Sequence, residues 1–353
     1  YKLDRTDPTA EASLAGGSSA DTWNTFNASP TFGAYLFRNG RTLNVTAVDG
    51  LSGIKETSWL RVSAADAPPA ALTLAELKAR ASGWEKFANA SGGTIQTTAS
   101  TDGEYAVYYI RMTDNAGNTS YITTAGFTID TVAPTIAGAG NGKTYYTTRT
   151  LTVKDKNLAS VKVNNTAISA PYTLTGDTNA TYNVVAADEV GNTATLTVTM
   201  KPIASLSERI SAVTAGNVKS TDRDAVRAVQ DDIARVRTDT AGATEAELAK
   251  LAAAADNTVN LLNKIAETEA KLSRAEETLK KYSIEQVKST DEASLDEIYG
   301  VITSLTGGDN LTGPQRRSME DLESKAAAML ARIREVREKR EALLSERTGV
   351  NSY

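Results

Sequence analysis

The sequence predicts a multidomain protein in which an all-β half of sandwich modules precedes an all-α half of tandem three-helix bundles sharing a long helix. Residues 1–202 hold 33 charged side chains, whereas the shorter stretch 203–353 holds 48. All three Trp, all five Phe and ten of the 13 Tyr precede position 203. Aromatic and Thr-rich segments favour strands, and segments rich in Ala, Glu, Leu and Lys favour helices. Pro202 ends the last strand-like run.

Composition excludes several kinds of chemistry. The 353 residues contain neither Cys nor His, so disulfides, thiolate nucleophiles and imidazole bases are all excluded. A net charge of -5 argues against a nucleic-acid partner. No run of apolar residues is long enough to span a bilayer, so no membrane insertion is expected within this region.

Two copies of a hairpin signature occur in the β half. Alternating apolar positions over 105–112 stop at Asp114-Asn115-Ala116-Gly117-Asn118, and those over 182–187 stop at Asp188-Glu189-Val190-Gly191-Asn192. Alternation of period 2 predicts strands. An Asp that accepts local backbone hydrogen bonds, with a Gly that tolerates positive φ, predicts a tight turn into the next strand.

A second repeat marks the module boundaries. Leu3-Asp4-Arg5-Thr6-Asp7-Pro8-Thr9 is echoed by Ile129-Asp130-Thr131-Val132-Ala133-Pro134-Thr135. Together the motifs resemble bacterial immunoglobulin-like modules of secreted and wall-attached proteins, in which an Asp-x-x-Gly-Asn hairpin precedes an Ile-Asp-x-x-x-Pro link. The resemblance implies immunoglobulin-like sandwiches over 1–131 and 132–202. It leaves open whether they are spacers, adhesion surfaces or enzyme accessories.

The first module departs from this pattern by an insertion over about 64–95. Within it, Thr73-x-x-Glu76 before Leu77 predicts a capping box that opens a short helix, with Trp84 and Phe87 packed against it. Two interpretations stay open, a structural helix that covers a sheet edge and a graft that carries function.

Acidic side chains at the loop ends raise the question of calcium. Two sets provide carboxylate and amide oxygens, the ligands that Ca²⁺ prefers. They are Asp114, Asn115, Asn118 and Asp130, and Asp155, Asp177 and Asp188. No twelve-residue calcium loop is present, so turn chemistry and an interdomain calcium site both remain open, and no other metal or cofactor is expected.

The α half is also a repeat. Val218-Lys219-Ser220-Thr221-Asp222 recurs without change as Val287-Lys288-Ser289-Thr290-Asp291, and similar apolar spacings follow each copy. Each copy predicts an amphipathic helix. A second helix follows in each unit, opened by the capping box Thr244-x-x-Glu247 in the first and by Thr312 in the second.

One helix is predicted to belong to both bundles, because no Gly or Pro lies between Thr244 and Tyr282. The predicted helices are 206–213, 222–236, 244–265, 270–282, 291–305 and 312–346, with the third and fourth forming the shared helix. This assigns the bundles to residues 203–268 and 269–353.

The helical half resembles repeated bundles that follow immunoglobulin-like modules in large surface proteins of gut Firmicutes, with Gly308-Asp309-Asn310-Leu311-Thr312 and the two Val-Lys-Ser-Thr-Asp starts carrying the likeness. Tyr and Arg commonly anchor protein-binding helix faces. The candidate binding residues are Tyr282, Tyr299, Arg316 and Arg317. The alternative assigns Tyr299 to the edge of the core and the two arginines to solvated pairs with Glu320 and Asp321.

The expected function is that of a noncatalytic, monomeric region of a Gram-positive surface protein, secreted or attached to the cell wall. Its sandwiches act as spacers, and its bundles bind a host protein such as an immunoglobulin or a mucin glycoprotein. Two alternatives stay open: an accessory region of a secreted glycan-active enzyme, and a purely structural stalk. Catalysis is not expected, since neighbouring acids on such highly charged helices are solvated rather than enclosed in a pocket.

Overall fold

The computed structural model describes residues 3–98 and 102–350, with side chains described up to Arg347. Residues 1–2, 99–101 and 351–353, which fall within the predicted modules, lie outside the described part. The chain forms two compact units. One comprises residues 1–142, 151–172 and 182–198, and the other comprises residues 143–150, 173–181 and 199–353. None of the described helices combines the length and apolar character needed to span a membrane.

The first module is a β-sandwich. Its strands are β1 Thr9–Leu14, β2 Thr22–Trp23, β3 Tyr35–Phe37, β4 Arg41–Val48, β5 Ile54–Ala64, β6 Glu85–Lys86, β7 Gly92–Thr97, β8 Glu104–Asp114, β9 Thr119–Thr123 and β10 Phe127–Ile129. One sheet has the order β2-β1-β4-β7, and the other has the order β3-β10-β8-β5-β6, with β9 also paired to β8. The predicted hairpin is therefore confirmed as β8 and β9, joined at Asp114 and Asn118.

Alternation along the strands builds the core between the two sheets. Leu43 and Val45 of β4 face Tyr108 and Ile110 of β8, and Phe127 completes the cluster. Rings at the end of the sandwich meet edge to face, with 5.5 Å between the centroids of Trp23 and Phe127. Burial of these large rings removes apolar surface from water and stabilises the module.

The insertion contains helix α1, Leu74–Ala79, opened by the predicted Thr73–Glu76 capping box. The expectation that this helix covers a sheet edge is wrong. Leu77 is fully buried and packs with Leu60 of β5 and Tyr109 of β8, on the opposite side of that sheet from the main core. The edge of β5 is paired instead by the short strand β6.

The second module is also built from strands in two sheets. They are β11 Thr135–Ala137, β12 Lys143–Tyr145, β13 Arg149–Lys154, β14 Leu158–Val163, β15 Thr166–Ala167, β16 Tyr172–Leu174, β17 Ala180–Asp188 and β18 Thr193–Met200. The sheet orders are β11-β13-β16 and β12-β18-β17-β14-β15. The second predicted hairpin is thus confirmed as β17 and β18.

The helical half has four α-helices and three short 3₁₀ segments within the described residues. The helices are α2 Arg223–Arg237, α3 Glu245–Leu279, α4 Glu292–Thr306 and α5 Gly313–Val350; the 3₁₀ segments are Ile203–Ile210, Ser220–Asp222 and Ser289–Asp291. Each Val-Lys-Ser-Thr-Asp start folds the same way, with the Asp carboxylate accepting the backbone N–H of the Lys three residues earlier, at 2.8 Å in both copies.

Two separate apolar cores confirm the tandem bundles and their shared helix. The first core includes Val229 of α2 with Leu251 and Ile265 of α3. The second includes Leu279 from the far end of α3 with Ile302 of α4. Helix α3 is continuous over 35 residues and contributes to both cores.

The predicted α-helix over 206–213 is instead the 3₁₀ helix Ile203–Ile210. Ser205 in its first turn donates its hydroxyl to the carbonyl of Pro202, at 2.7 Å. Side-chain bonds of this kind compete with the α-helical pattern, which explains the tighter turn. Its apolar face still packs into the first core through Leu206 and Ile210.

Candidate functional site

The predicted binding residues lie on the second bundle. Tyr282 and Tyr299 are half-buried and pack against its core. A surface depression of about 520 Å³ lies beside Tyr282, lined also by Ser283, Gln286 and Lys288. The tyrosines have an apolar body in the bundle and a partly exposed ring, as anchoring aromatics do.

The two candidate arginines differ in their surroundings. Arg316 donates to the carbonyls of Thr306 and Gly308, and so caps the last turn of α4. Arg317 is exposed. Within the described part of the chain, no hydrogen bond, ion pair or ring contact joins any two of the four candidates, so their common role in binding stays a prediction.

A buried carboxylate in the same compact unit was predicted from the sequence only as a capping residue of the shared helix. Glu247, in the first turn of α3, is 5% exposed. It accepts the hydroxyl of Thr148 at 2.8 Å and the backbone N–H of Thr148 at 3.1 and 3.2 Å. Thr148 belongs to the connection between β12 and β13. We call the contacts of Thr148 and Gly176 with Glu247 the carboxylate joint.

The joint is closely packed. The hydroxyl oxygen of Thr148 accepts the backbone N–H of Gly176 at 2.9 Å. A Cβ at Gly176 would lie 1.7 Å from Glu247 Oε1, so only glycine fits there. Glu247 also accepts the N–H of Thr244 at 2.8 Å, as the predicted capping box requires. One carboxylate therefore both caps α3 and holds two β-strand connections against it.

Two ion pairs flank the carboxylate joint. Arg149, whose side chain is 5% exposed, donates to the carboxylate of Asp239 at 2.7 Å, and its guanidinium lies 4.1 Å from the ring centroid of Tyr145. Lys250 pairs with Asp177. The hydrogen bond from Lys250 holds the pKa of the Asp177 carboxyl below its usual value. The guanidinium of Arg149 is therefore both paired with a carboxylate and stacked on an aromatic ring, a combination that suits the planar arginine side chain.

Only part of the carboxylate joint can be predicted from the sequence. A Thr-x-x-Glu motif predicts the cap, and the repeat has Gln315 where the first copy has Glu247. Gln315 caps α5 by accepting the N–H of Thr312 at 3.0 Å. The first copy has the charged Glu247, which accepts additional hydrogen bonds, where the second has the neutral Gln315. Nothing in the sequence indicates that Thr148, 99 positions away, is the donor of those hydrogen bonds.

The acidic side chains of the two sandwiches gather in a repeated arrangement. The clusters are Asp4, Asp49 and Asp114, and Asp130, Asp155 and Asp188; in each, ligand oxygens lie within 4.8 Å of one another. Each combines a link Asp, a hairpin Asp and a third from a strand connection. The predicted grouping was wrong in two details, because Asp130 joins Asp155 and Asp188 rather than Asp114, and Asp177 pairs with Lys250.

Hydrogen bonds already satisfy many of these oxygens. Asn118 donates its amide N–H to Asp114 at 2.7 Å, and Asn192 donates to Asp188 at the same distance. The two asparagines also donate to the carbonyls of Asp4 and Asp130, at 3.4 and 3.0 Å. The bonds within each turn are the expected turn chemistry. The bonds to Asp4 and Asp130 also hold each link segment against its hairpin.

The charges in the second cluster are not fully balanced. Asp130 is 1% exposed. Burial, then the nearby charges of Asp102, Asp155 and Asp188, raise its pKa despite a hydrogen bond from Asn157. Hard oxygens in this geometry can hold a divalent cation, and a calcium site there stays a prediction.

No protein-family model matches the sequence, and no curated protein matches it. Among solved structures, the chain is similar to fibronectin(III)-like modules of Clostridium thermocellum CbhA, with 12% identity and a TM-score of 0.22, over 50% of this chain and 94% of that chain. It is also similar to SGBP-B of the Bacteroides ovatus mixed-linkage glucan utilization locus, solved with a mixed-linkage heptasaccharide, with 12% identity and a TM-score of 0.21. This second match covers 56% of this chain and 48% of that chain, so the match spans about half the length of SGBP-B. At these TM-scores neither likeness carries an argument about function.

Proposed function

We propose that this chain is a noncatalytic, monomeric region of a bacterial surface or secreted protein, located outside the cell, in which β-sandwich modules present tandem helical bundles to a host protein. The carboxylate joint is the observation that carries the proposal. To present a binding face, the helices must be attached to the β-strand segments that precede them. Glu247, at the start of α3, provides such an attachment through buried, charge-assisted hydrogen bonds from Thr148 in the β12–β13 connection.

Continuity of α3 supports the same proposal. The helix begins at the joint, with Glu247 in its first turn, and ends in the core of the second bundle at Leu279. One continuous helix of about 52 Å, at 1.5 Å for each of its 35 residues, therefore links the joint to the second bundle. Such an element suits presentation of a binding face.

For the binding face we propose the second bundle, with Tyr299 and Arg317 as anchors, Tyr282 at its margin, and Arg316 holding the turn between α4 and α5. A half-buried Tyr loses little side-chain freedom when a partner covers it, and an exposed Arg can form several hydrogen bonds. The proposed partner is an immunoglobulin or a mucin glycoprotein.

The test uses the whole chain, because a fragment that starts at residue 203 would lack Thr148 and with it the hydroxyl and backbone N–H that this residue donates to Glu247. The immobilised chain is exposed to serum and, separately, to mucin. We expect capture of a defined protein, weakened by about 1 kcal/mol in Tyr299→Ala and in Arg317→Ala. Arg334→Ala, at an exposed position on α5 away from these residues, is the matched control. Capture of nothing from either source would overturn the proposal.

A further inference from the structure

The last turns of α5 carry an exposed apolar and basic stripe. The stripe consists of Val336, Arg340, Leu343, Leu344 and Arg347. Val336 is 48% exposed, Leu343 66% and Leu344 49%. At about 100° per residue, the five positions fall within an arc of about 100°, the width of a face that normally packs against another helix.

The stripe prolongs a seam that is already packed. Met329 and Ile333, which precede it on the same side of α5, are 0% and 3% exposed in the second core. Apolar side chains thus continue in register where that core ends, while their exposure rises sharply.

The internal repeat shows what such a seam packs against. The alignment that places Thr244 opposite Thr312 also places Ile265 opposite Ile333. In the same alignment, the counterparts of Val336, Arg340, Leu343 and Arg347 in α3 are Thr268, Leu272, Ala275 and Leu279. These four are between 0% and 8% exposed, since the later part of α3 belongs to the second bundle.

An ion pair confirms that the two helices are in equivalent register. Arg223 at the start of α2 pairs with Glu269 of α3, and Glu292 at the start of α4 pairs with Arg337 of α5. The charges are exchanged but the positions correspond. The stretch of α5 after Arg337 is therefore the structural counterpart of the stretch of α3 that two helices cover.

A helix that packs against the stripe must differ in charge from α4, the helix that packs against the equivalent part of α3. Two seam leucines of α3, Leu272 and Leu279, are replaced in α5 by Arg340 and Arg347. Within the described part of the chain, neither arginine has an ion-pair partner. An apolar helix laid on the stripe would bury two unpaired guanidinium groups, which is strongly unfavourable. A second copy of the stripe would bring like charges together.

We propose that the stripe docks an amphipathic helix of a partner protein, whose apolar face carries two carboxylates seven residues apart. That spacing is about 10.5 Å along a helix and matches the separation of Arg340 and Arg347. Leucine-sized side chains between the carboxylates would cover Val336 and Leu343. The proposal rests on the proposed function in one respect only, that the helical half binds a protein.

The test uses the whole chain and two synthetic helical peptides of three heptads. Both have Leu at the a and d positions; one carries two Glu seven residues apart within the apolar face, and the other carries Lys at those two positions. Dissociation constants are measured by fluorescence anisotropy. We expect the Glu peptide to bind about tenfold or more tightly than the Lys peptide. We expect Leu343→Ala to weaken binding of the Glu peptide about tenfold.

Charge reversal gives the sharper readout. The double variant Arg340→Glu, Arg347→Glu is expected to prefer the Lys peptide. Arg334→Glu, a charge reversal on the opposite side of α5, is expected to leave the preference for Glu unchanged. All positions are exposed, and far-UV circular dichroism checks that each variant is folded.

Three results would overturn the proposal. The first is that the wild-type chain binds the two peptides equally or binds neither. The second is that the double variant still prefers the Glu peptide. The third is self-association in sedimentation that Leu343→Ala abolishes, which would make a second copy the occupant. Failure to capture a serum or mucin protein, with the peptide preference intact, would overturn the proposed function alone.

Discussion

Replacement of Glu247 by Gln isolates the carboxylate joint from the helix cap. Gln retains one acceptor oxygen, which can still accept the N–H of Thr244, as Gln315 does for Thr312 in the second copy. Its amide NH₂ then takes the place of Oε1, so the hydroxyl of Thr148 loses its acceptor and the backbone N–H of Thr148 keeps only one of its two acceptor oxygens. The charge that strengthens these hydrogen bonds is also removed.

The expected loss follows from those contacts. A hydrogen bond to a charged group contributes about 1.5–3 kcal/mol, and a buried donor left without an acceptor costs about 1–3 kcal/mol. Because these effects overlap at Thr148, we expect Glu247→Gln to lower the free energy of unfolding by about 3 kcal/mol in the compact unit that contains α2 to α5, called the helical unit below. That corresponds to a fall of roughly 6–12 °C in its Tm for a unit of this size.

Thermal and urea unfolding followed by circular dichroism at 222 nm measure this loss, since most of that signal comes from the helices. Glu245→Gln, at an exposed position in the same turn, is the matched control for charge at the start of α3. Gln315→Glu tests the cap of the second copy and is expected to be nearly neutral. If Glu247→Gln were no more destabilising than Glu245→Gln, the joint would not contribute to stability and the reasoning would be refuted.

Three further changes test other parts of the structure. Gly176→Ala places a Cβ against Glu247 and is expected to destabilise the helical unit by about 2 kcal/mol or more, measured by the same unfolding experiment. Leu77→Ala removes a fully buried side chain and should cost about 2–5 kcal/mol in the first module, read from Trp fluorescence during urea unfolding. The raised pKa of Asp130 means that its contribution to stability is lost as pH rises through the folded-state pKa. The stability of Asp130→Asn relative to the wild type should therefore be greater at pH 7 than at pH 4, and an unchanged pH profile would contradict this.

The sequence was sufficient for features that depend on local pattern. The hairpins ending at Asp114 and Asp188 follow from period-2 alternation and turn residues, and the shared helix follows from the absence of Gly and Pro after Thr244. Repeats made these predictions stronger, because the same interpretation had to hold twice. The capping boxes at Thr73 and Thr244 are equally local, since donor and acceptor lie three residues apart.

Features that depend on distant contacts were missed or misplaced. Burial of Glu247 depends on Thr148, which lies far away in the sequence and on a different kind of element. The regrouping of Asp130 with Asp155 and Asp188 likewise depends on how strand connections meet at one end of a sandwich. The structural interpretation of helix α1 placed it over a sheet edge, because its sequence shows one apolar face but not which surface that face covers.

The central claim, that the helical half is held by the carboxylate joint in order to present a binding face to a host protein, is tested most directly by one capture experiment. The wild-type 353-residue chain and the Tyr299→Ala, Arg317→Ala double variant are immobilised side by side, and serum and mucin are passed over both. The account predicts that the wild type retains a defined protein and that the double variant retains it at least about tenfold more weakly. Retention of no protein by the wild type, or equal retention by both surfaces, would contradict it.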